Sequence, residues 1–285
     1  MSLSAIKTVG VIGTGVIGSS WIALFLSKGL RVIVTDPNPE APEKLSKFLA
    51  DVWPSLERNG PERLEFKRKL FARLDQRTPA DTVICSSSSG IPSSQFISEC
   101  QRHPERILIG HPFNPPHVVP LVEVVPHPGT EPKHVMKAME FYRSLGREPV
   151  LVAEECPGFV GNRLQGALLC EAYSLVSRGV ISASDLDLVM TSALGLRWAL
   201  TGPLTTNSLG AGGSFHALLK HLGPAMVEWR EDMDKHRFNF KANEVASLVE
   251  RVEKLEETLD VRDLQRKRDA ALIELLKMKA QAGFH

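Results

Sequence analysis

The residue in this chain best suited to acid–base chemistry is His111, within Gly110-His111-Pro112-Phe113-Asn114-Pro115-Pro116. The run Ile107-Leu108-Ile109 ahead of it is short, apolar and strand-like, so His111 falls at a strand's carboxyl end, where open α/β sheets bind ligands. An imidazole placed there can take a proton from a substrate hydroxyl near neutral pH, and the flanking prolines restrict the backbone that carries it. Glu123 stands in the next strand-like run, VPLVEVV over residues 119–125, where it can accept the other ring N–H. Such a His–carboxylate pair keeps the imidazole in one tautomer and stabilises the imidazolium formed during turnover. By spacing alone His111 is one of nine histidines, most of them expected to be surface or satisfied groups.

A second constellation binds rather than reacts. Gly13-Thr14-Gly15-Val16-Ile17-Gly18 follows the strand-like TVGVI of residues 8–12 and precedes Ala23, Leu24 and Leu26 at helical spacing. A further β-branched run, Val32 to Thr35, ends on Asp36. In that order each residue has a task. Gly13 makes the tight turn, Gly15 lets the backbone approach a pyrophosphate, and Gly18 packs helix on strand. Val16 and Ile17 open the helix whose free N–H groups and positive dipole end face the phosphates. Asp36 can accept hydrogen bonds from the adenine-ribose hydroxyl, and its charge repels a 2′-phosphate, favouring NAD over NADP. The bland alternative is a βαβ unit with a glycine turn and an ordinary aspartate.

These groups must be carried by 285 residues, about two ordinary domains. A formal charge of +1 supplies no field for nucleic acid or an anionic membrane. The four cysteines form no C-x-x-C pair, and no long apolar run predicts a transmembrane span. Neither a leader pattern nor a C-terminal targeting signal is legible, so a cytoplasmic location is expected. The pattern predicts an α/β Rossmann-type domain over 1–153 and an all-α domain over 154–285. In the first, helical spacing covers 40–58 and 62–74 around Asn59-Gly60-Pro61, with strands at 82–85, 107–109, 119–125 and 149–152 and a helix at 132–145. A sheet ordered 3-2-1-4-5-6 needs two strands between Pro37 and Thr82, and none is found. The fold therefore lacks a strand–helix–strand segment, which would leave the first strand with an open edge and exposed apolar surface. In the second half, apolar periodicity marks helices from Leu164 to Val176, over 244–259 and over 262–279. Ser184-x-x-Asp187 reads as a capping box for a helix through Leu194, and Gly202 to Gly213 as a plain glycine-rich connection.

Four blocks, VGVIGTGVIG at 9–18, SSSSG at 86–90, GHPFNPPHVVPLVEVV at 110–125 and CPGFVGNRL at 156–164, make the chain resemble the L-3-hydroxyacyl-CoA dehydrogenase superfamily over nearly its whole length. The resemblance implies that His111 is the general base, Glu123 its partner, and that Ser89 and Asn162 hydrogen-bond the substrate oxygen or the histidine. It places Glu62 and Lys67 on the nicotinamide side of a bound NAD. It further implies hydride transfer from a secondary alcohol, a small-molecule L-3-hydroxyacyl substrate as its CoA ester, and a homodimer built on the helical domain. The alternative substrate is a free 3-hydroxy acid. Pro112, Gly195-Leu196-Arg197-Trp198 and Gly202-Pro203 look more like the branch holding L-gulonate 3-dehydrogenase and carnitine dehydrogenase. An alternative of another class is an inactive or structural relic, because about thirty residues of strand–helix–strand expected before Asn59 are missing.

Overall fold

Alternating β-branched residues set the first elements of this computed structural model, which describes residues 6–45 and 61–284. Strand β1 (Thr8–Ile12) leads through the glycine turn into helix α1 (Val16–Ser27) and on to strand β2 (Arg31–Thr35). β1 and β2 pair in parallel, from Thr8 opposite Arg31 to Ile12 opposite Thr35. The helix expected over 40–58 lies mostly outside the described residues. Pro61, whose missing N–H suits a first helical position, opens α2 (Pro61–Arg77). Then come β3 (Ile84–Ser86), β4 (Ile107–Pro112), β5 (Leu121–Pro126), α3 (Pro132–Ser144) and β6 (Glu148–Leu151). These four strands form one sheet in the order β3-β4-β5-β6, with β4 and β5 antiparallel and the other pairs parallel.

Every residue of β4 is buried, and its alternation divides the core between the two sheet faces. Leu108 packs with Val122, Val124, Ala138, Tyr142 and Leu145, and with Trp21, Leu24 and Phe25 of α1. Ile107 and Ile109 pack on the other side with Phe71, Phe96, Val125 and Phe159. Trp21 stacks on Phe25 at 5.4 Å between ring centroids and lies 5.6 Å from Tyr142, so α1 fastens the β1–α1–β2 piece to the larger sheet. Among the described residues no strand joins β1 to β3, and the two sheets stay separate. Strand β1 thus has the expected open edge among the described residues, and Ile12 and Ile33 are exposed on the two-stranded piece.

By packing, the chain divides into Met1–Arg163 and Leu164–His285, the cut falling in the first turn of α4 (Gly161–Ser177). The expected division at 153/154 lies a little earlier, just past β6. After α4 come α5 (Ala183–Val189), a π-helical turn (Met190–Leu194), α6 (Gly195–Gly210), α7 (Phe215–Lys235), α8 (Ala242–Glu256) and α9 (Val261–Gln281). Two expectations need correcting here, and one helix was not expected. The cap of α5 is Ser182, which accepts the Asp185 N–H at 3.1 Å, so the cap sits two residues before Ser184. Gly202 to Gly213 is mostly helix: α6 kinks at Gly202 (φ 65°) and restarts at Pro203, and the turn comes only at Gly212 and Gly213. Helix α7 has no counterpart in the sequence reading, because Gly223-Pro224 interrupts its apolar period. No helix of the described residues is long and apolar enough to cross a membrane.

Candidate active site

His111 lies within β4 rather than beyond it, and antiparallel pairing sets Glu123 of β5 directly opposite. Residues opposite one another in such a pair point to the same face, so the register alone brings the two side chains together. His111 Nδ1 donates to Glu123 Oε2 at 2.8 Å, and both side chains are buried. The other carboxylate oxygen, Oε1, accepts the backbone N–H of Val160 at 2.9 Å and of Gly161 at 2.8 Å, where α4 begins. Three donors therefore fix the carboxylate, and the partly positive helix start faces it. The imidazole packs beside the tilted rings of Phe113 and Phe159, at 4.9 and 5.6 Å between centroids. With Nδ1 committed as a donor, Nε2 is the nitrogen through which a neutral imidazole would accept, and it makes no hydrogen bond within the described residues. A hydroxyl brought to Nε2 would meet a general base of fixed tautomer.

The serine run meets the start of α4. Gly158 N–H donates to Gly90 O at 3.3 Å, and the Asn162 side-chain amide donates to the carbonyl of Ser89. The structure thus brings Ser89 and Asn162 to each other, through the Ser89 carbonyl rather than its hydroxyl. Neither side chain hydrogen-bonds His111 within the described residues. Lys67, on α2, reaches Ser86 Oγ at 3.4 Å and lies 5.4 Å from the centre of the Phe96 ring. Glu62 lies on the first turn of α2, with its side chain outside the described residues.

The glycine loop has the shape a dinucleotide requires. Gly13 adopts φ +93°, a conformation L side chains rarely take, and a Cβ on Gly18 would collide with the Gly13 carbonyl oxygen. Gly15 precedes α1 without any side-chain cap, so the first N–H groups of the helix are left for a ligand. Ile17 is partly buried against the core and offers its backbone, as Val16 does at the first helical position. Asp36 Oδ2 accepts both the N–H and the hydroxyl of Thr14, at 2.6 and 2.7 Å, and Oδ1 accepts Asn38 N–H at 2.8 Å. Burial pushes the Asp36 carboxyl up, but the Asn38 and Thr14 donors together outweigh it and hold the group below its ordinary value. The loop, the uncapped helix start and the anionic Asp36 fit the pyrophosphate and adenine ribose of NAD. Unforeseen in the sequence were the rings of Phe113 and Phe159 and the amides of Val160 and Gly161; only the glycines of CPGFVGNRL hinted at close approach there.

Residues 8–60, and again 57–156, match the family described as 3-hydroxyacyl-CoA dehydrogenase, NAD binding domain. Residues 158–245 match 3-hydroxyacyl-CoA dehydrogenase, C-terminal domain. The first match comes in two pieces that meet beside Asn59, where a segment is short. A 3-hydroxyacyl-CoA dehydrogenase of Gibberella moniliformis (strain M3125 / FGSC 7600) is 47% identical over 306 residues, covering 96% of this chain and 95% of that protein. Because 96% of 285 residues is only about 274, about thirty positions of that alignment face no residue here. An L-carnitine dehydrogenase of Streptomyces griseus subsp. griseus is 36% identical over 95% of this chain and 90% of its own length. Among solved structures, 5-formyl-3-hydroxy-2-methylpyridine 4-carboxylic acid 5-dehydrogenase, an NAD+-dependent dismutase, superposes with a TM-score of 0.71. It is 27% identical, and the match covers 96% of this chain and 99% of that one.

Proposed function

Because this chain belongs to the 3-hydroxyacyl-CoA dehydrogenase family, and so to the NAD-dependent oxidoreductases, we propose that it oxidises a free 3-hydroxy acid at its hydroxyl carbon. The observation that carries the chemistry is the 2.8 Å bond from His111 Nδ1 to the buried Glu123 carboxylate. His111 Nε2 takes the hydroxyl proton of the substrate as the alcohol becomes a ketone. Glu123 stabilises the resulting imidazolium, and its own position is held by the Val160 and Gly161 amides. NAD, when bound, supplies the acceptor for the hydride that leaves the same carbon. Gly13, Gly15, Val16, Ile17 and Gly18 would hold its pyrophosphate, and Asp36 its adenine ribose. Lys67 and Glu62 would stand on the nicotinamide side. Asn162, anchored on the Ser89 carbonyl, would steady the substrate oxygen, with Ser89 beside it.

Preference for a free acid over a CoA ester reverses the order expected from the sequence. It is supported by L-carnitine dehydrogenases that align with nearly the whole chain, including those of Streptomyces and Bacillus cereus, and by the Pro112 and Gly195–Trp198 stretches. The Gibberella relative's name favours the CoA ester as a second reading. Turnover of L-carnitine, L-gulonate and 3-hydroxybutyryl-CoA side by side, followed by NADH formation, separates the two. A rate on either free acid well above that on the ester is expected, and the reverse order would replace the first reading with the second.

A homodimer is part of the same proposal. Among the described residues of Leu164–His285 the buried ones are few, Ser174, Val176, Ala183 and Phe238, whereas Leu164, Leu196, Leu204 and Trp229 are each more than half exposed. A helical unit with so little interior of its own is supported by burial against a second copy. We also place the protein in the cytoplasm.

A further inference from the structure

We propose that Gly161 is a positioning residue for the His111–Glu123 pair, acting at once through the hydrogen it carries and the side chain it lacks. Its N–H is one of the two amides on Glu123 Oε1. A Cβ built on it would be driven into the tip of the Phe113 ring, at Cζ, and would sit 3.0 Å from Cε1 and Cε2. Phe113 in turn packs tilted beside the His111 imidazole, 4.9 Å away between ring centroids. One backbone position therefore seats both objects that aim the imidazole: the carboxylate behind Nδ1 and the tilted Phe113 ring beside it. Phe159, wholly buried, lies 5.6 Å from the same imidazole. The backbone of Gly161 does not need glycine for its own conformation, since its φ is outside the left-handed region. What an added methyl group meets is Phe113.

This inference rests on the general-base reading of His111 for its kinetic arm only; the geometry can be tested without turnover. In protein labelled with 15N at histidine, long-range proton–nitrogen correlations report which ring nitrogen of His111 carries the hydrogen. Wild type is expected to show the Nδ1–H tautomer alone. Gly161→Ala is expected to show a mixture of tautomers, because Phe113 must move and the imidazole with it. Adding Phe113→Leu, which keeps an apolar contact but removes Cζ, should return the single tautomer. In turnover, Gly161→Ala should lower kcat about 10- to 100-fold with KM little changed, and the double variant should regain most of the loss. An unchanged tautomer and kcat in Gly161→Ala would overturn the proposal. So would a loss that Phe113→Leu does not relieve, because the effect would then not pass through that ring. If Gly161→Ala does not fold, Phe113→Ala alone removes the brace without adding an atom, and a single Nδ1–H tautomer there would overturn the proposal equally. Failure of the general-base reading looks different: His111→Ala would keep its turnover while the tautomer still answered to Gly161.

Discussion

Glu123 gives one oxygen to His111 and the other to two backbone amides, so it orients the imidazole and carries its counter-charge at the same time. Glu123→Gln keeps the shape but offers one acceptor atom where two are used. Its NH2 must face either an amide N–H or the imidazole N–H. Turnover should fall by about 10²- to 10⁴-fold while the dissociation constant for NAD stays near the wild-type value, as measured by fluorescence titration. Asp36 invites a second test. Its carboxyl is held below the ordinary range, burial opposing and the Asn38 and Thr14 donors prevailing, so it is charged throughout the neutral region. NAD affinity should therefore be flat from about pH 5 to 8, and Asp36→Ala should weaken NAD while narrowing its advantage over NADP. His111, Glu123 and Asp36 were legible because their side chains punctuate strand patterns. The amides of Val160 and Gly161 were not, since backbone donors leave no mark in residue type.

Among the elements, the runs of Val and Ile made β1, β2, β4 and β5 readable, but not where β4 stops. Gly110-His111-Pro112 has little strand propensity of its own, and only pairing with Val122 to Val124 carries the strand through it. The capping of α5 was misplaced because Ser182 and Ser184 are both followed three residues on by an aspartate, and local sequence does not choose between them. A buried ion pair ties α2 to the segment before β4. Arg106 Nη2 lies 3.4 Å from Asp75 Oδ1, both side chains are wholly buried, and Asp75 also accepts the N–H groups of Arg102 and His103 at 2.8 and 2.9 Å. Asp75→Ala leaves the guanidinium buried without its counter-charge and should cost about 3–5 kcal/mol in urea unfolding. Burial pushes the Asp75 carboxyl up, and the backbone donors with Arg106 more than reverse this, leaving it below the ordinary carboxylate range. A depressed folded-state value means the stabilisation is complete above the unfolded value and lost as pH falls through the folded one. The stability gap between wild type and Asp75→Ala should thus be constant at neutral pH and shrink only below about pH 4.

At the scale of the molecule, the shortfall in length has a structural counterpart. The family match breaks beside Asn59, and β1 pairs with β2 but with no strand of the larger sheet among the described residues. The glycine loop is therefore carried by a two-stranded piece that α1 fastens through Trp21, Leu24 and Phe25, with Val9, Val11 and Val32 packed against the same cluster. Inserting the corresponding segment of the Gibberella relative before Asn59 should tighten NAD binding and raise the melting temperature; unchanged values for both would show that the open edge costs nothing. The helical half predicts a dimer, to be read by sedimentation equilibrium, and a monomer at micromolar concentration would contradict it. The central claim is tested most directly by NADH formation from L-carnitine, L-gulonate and 3-hydroxybutyryl-CoA, with wild type and His111→Ala measured together. The account predicts turnover of a free 3-hydroxy acid by wild type and a loss of at least about a hundredfold in His111→Ala, with NAD binding retained. Equal turnover by the two proteins, or no wild-type turnover of any of the three substrates at saturating NAD, would contradict it.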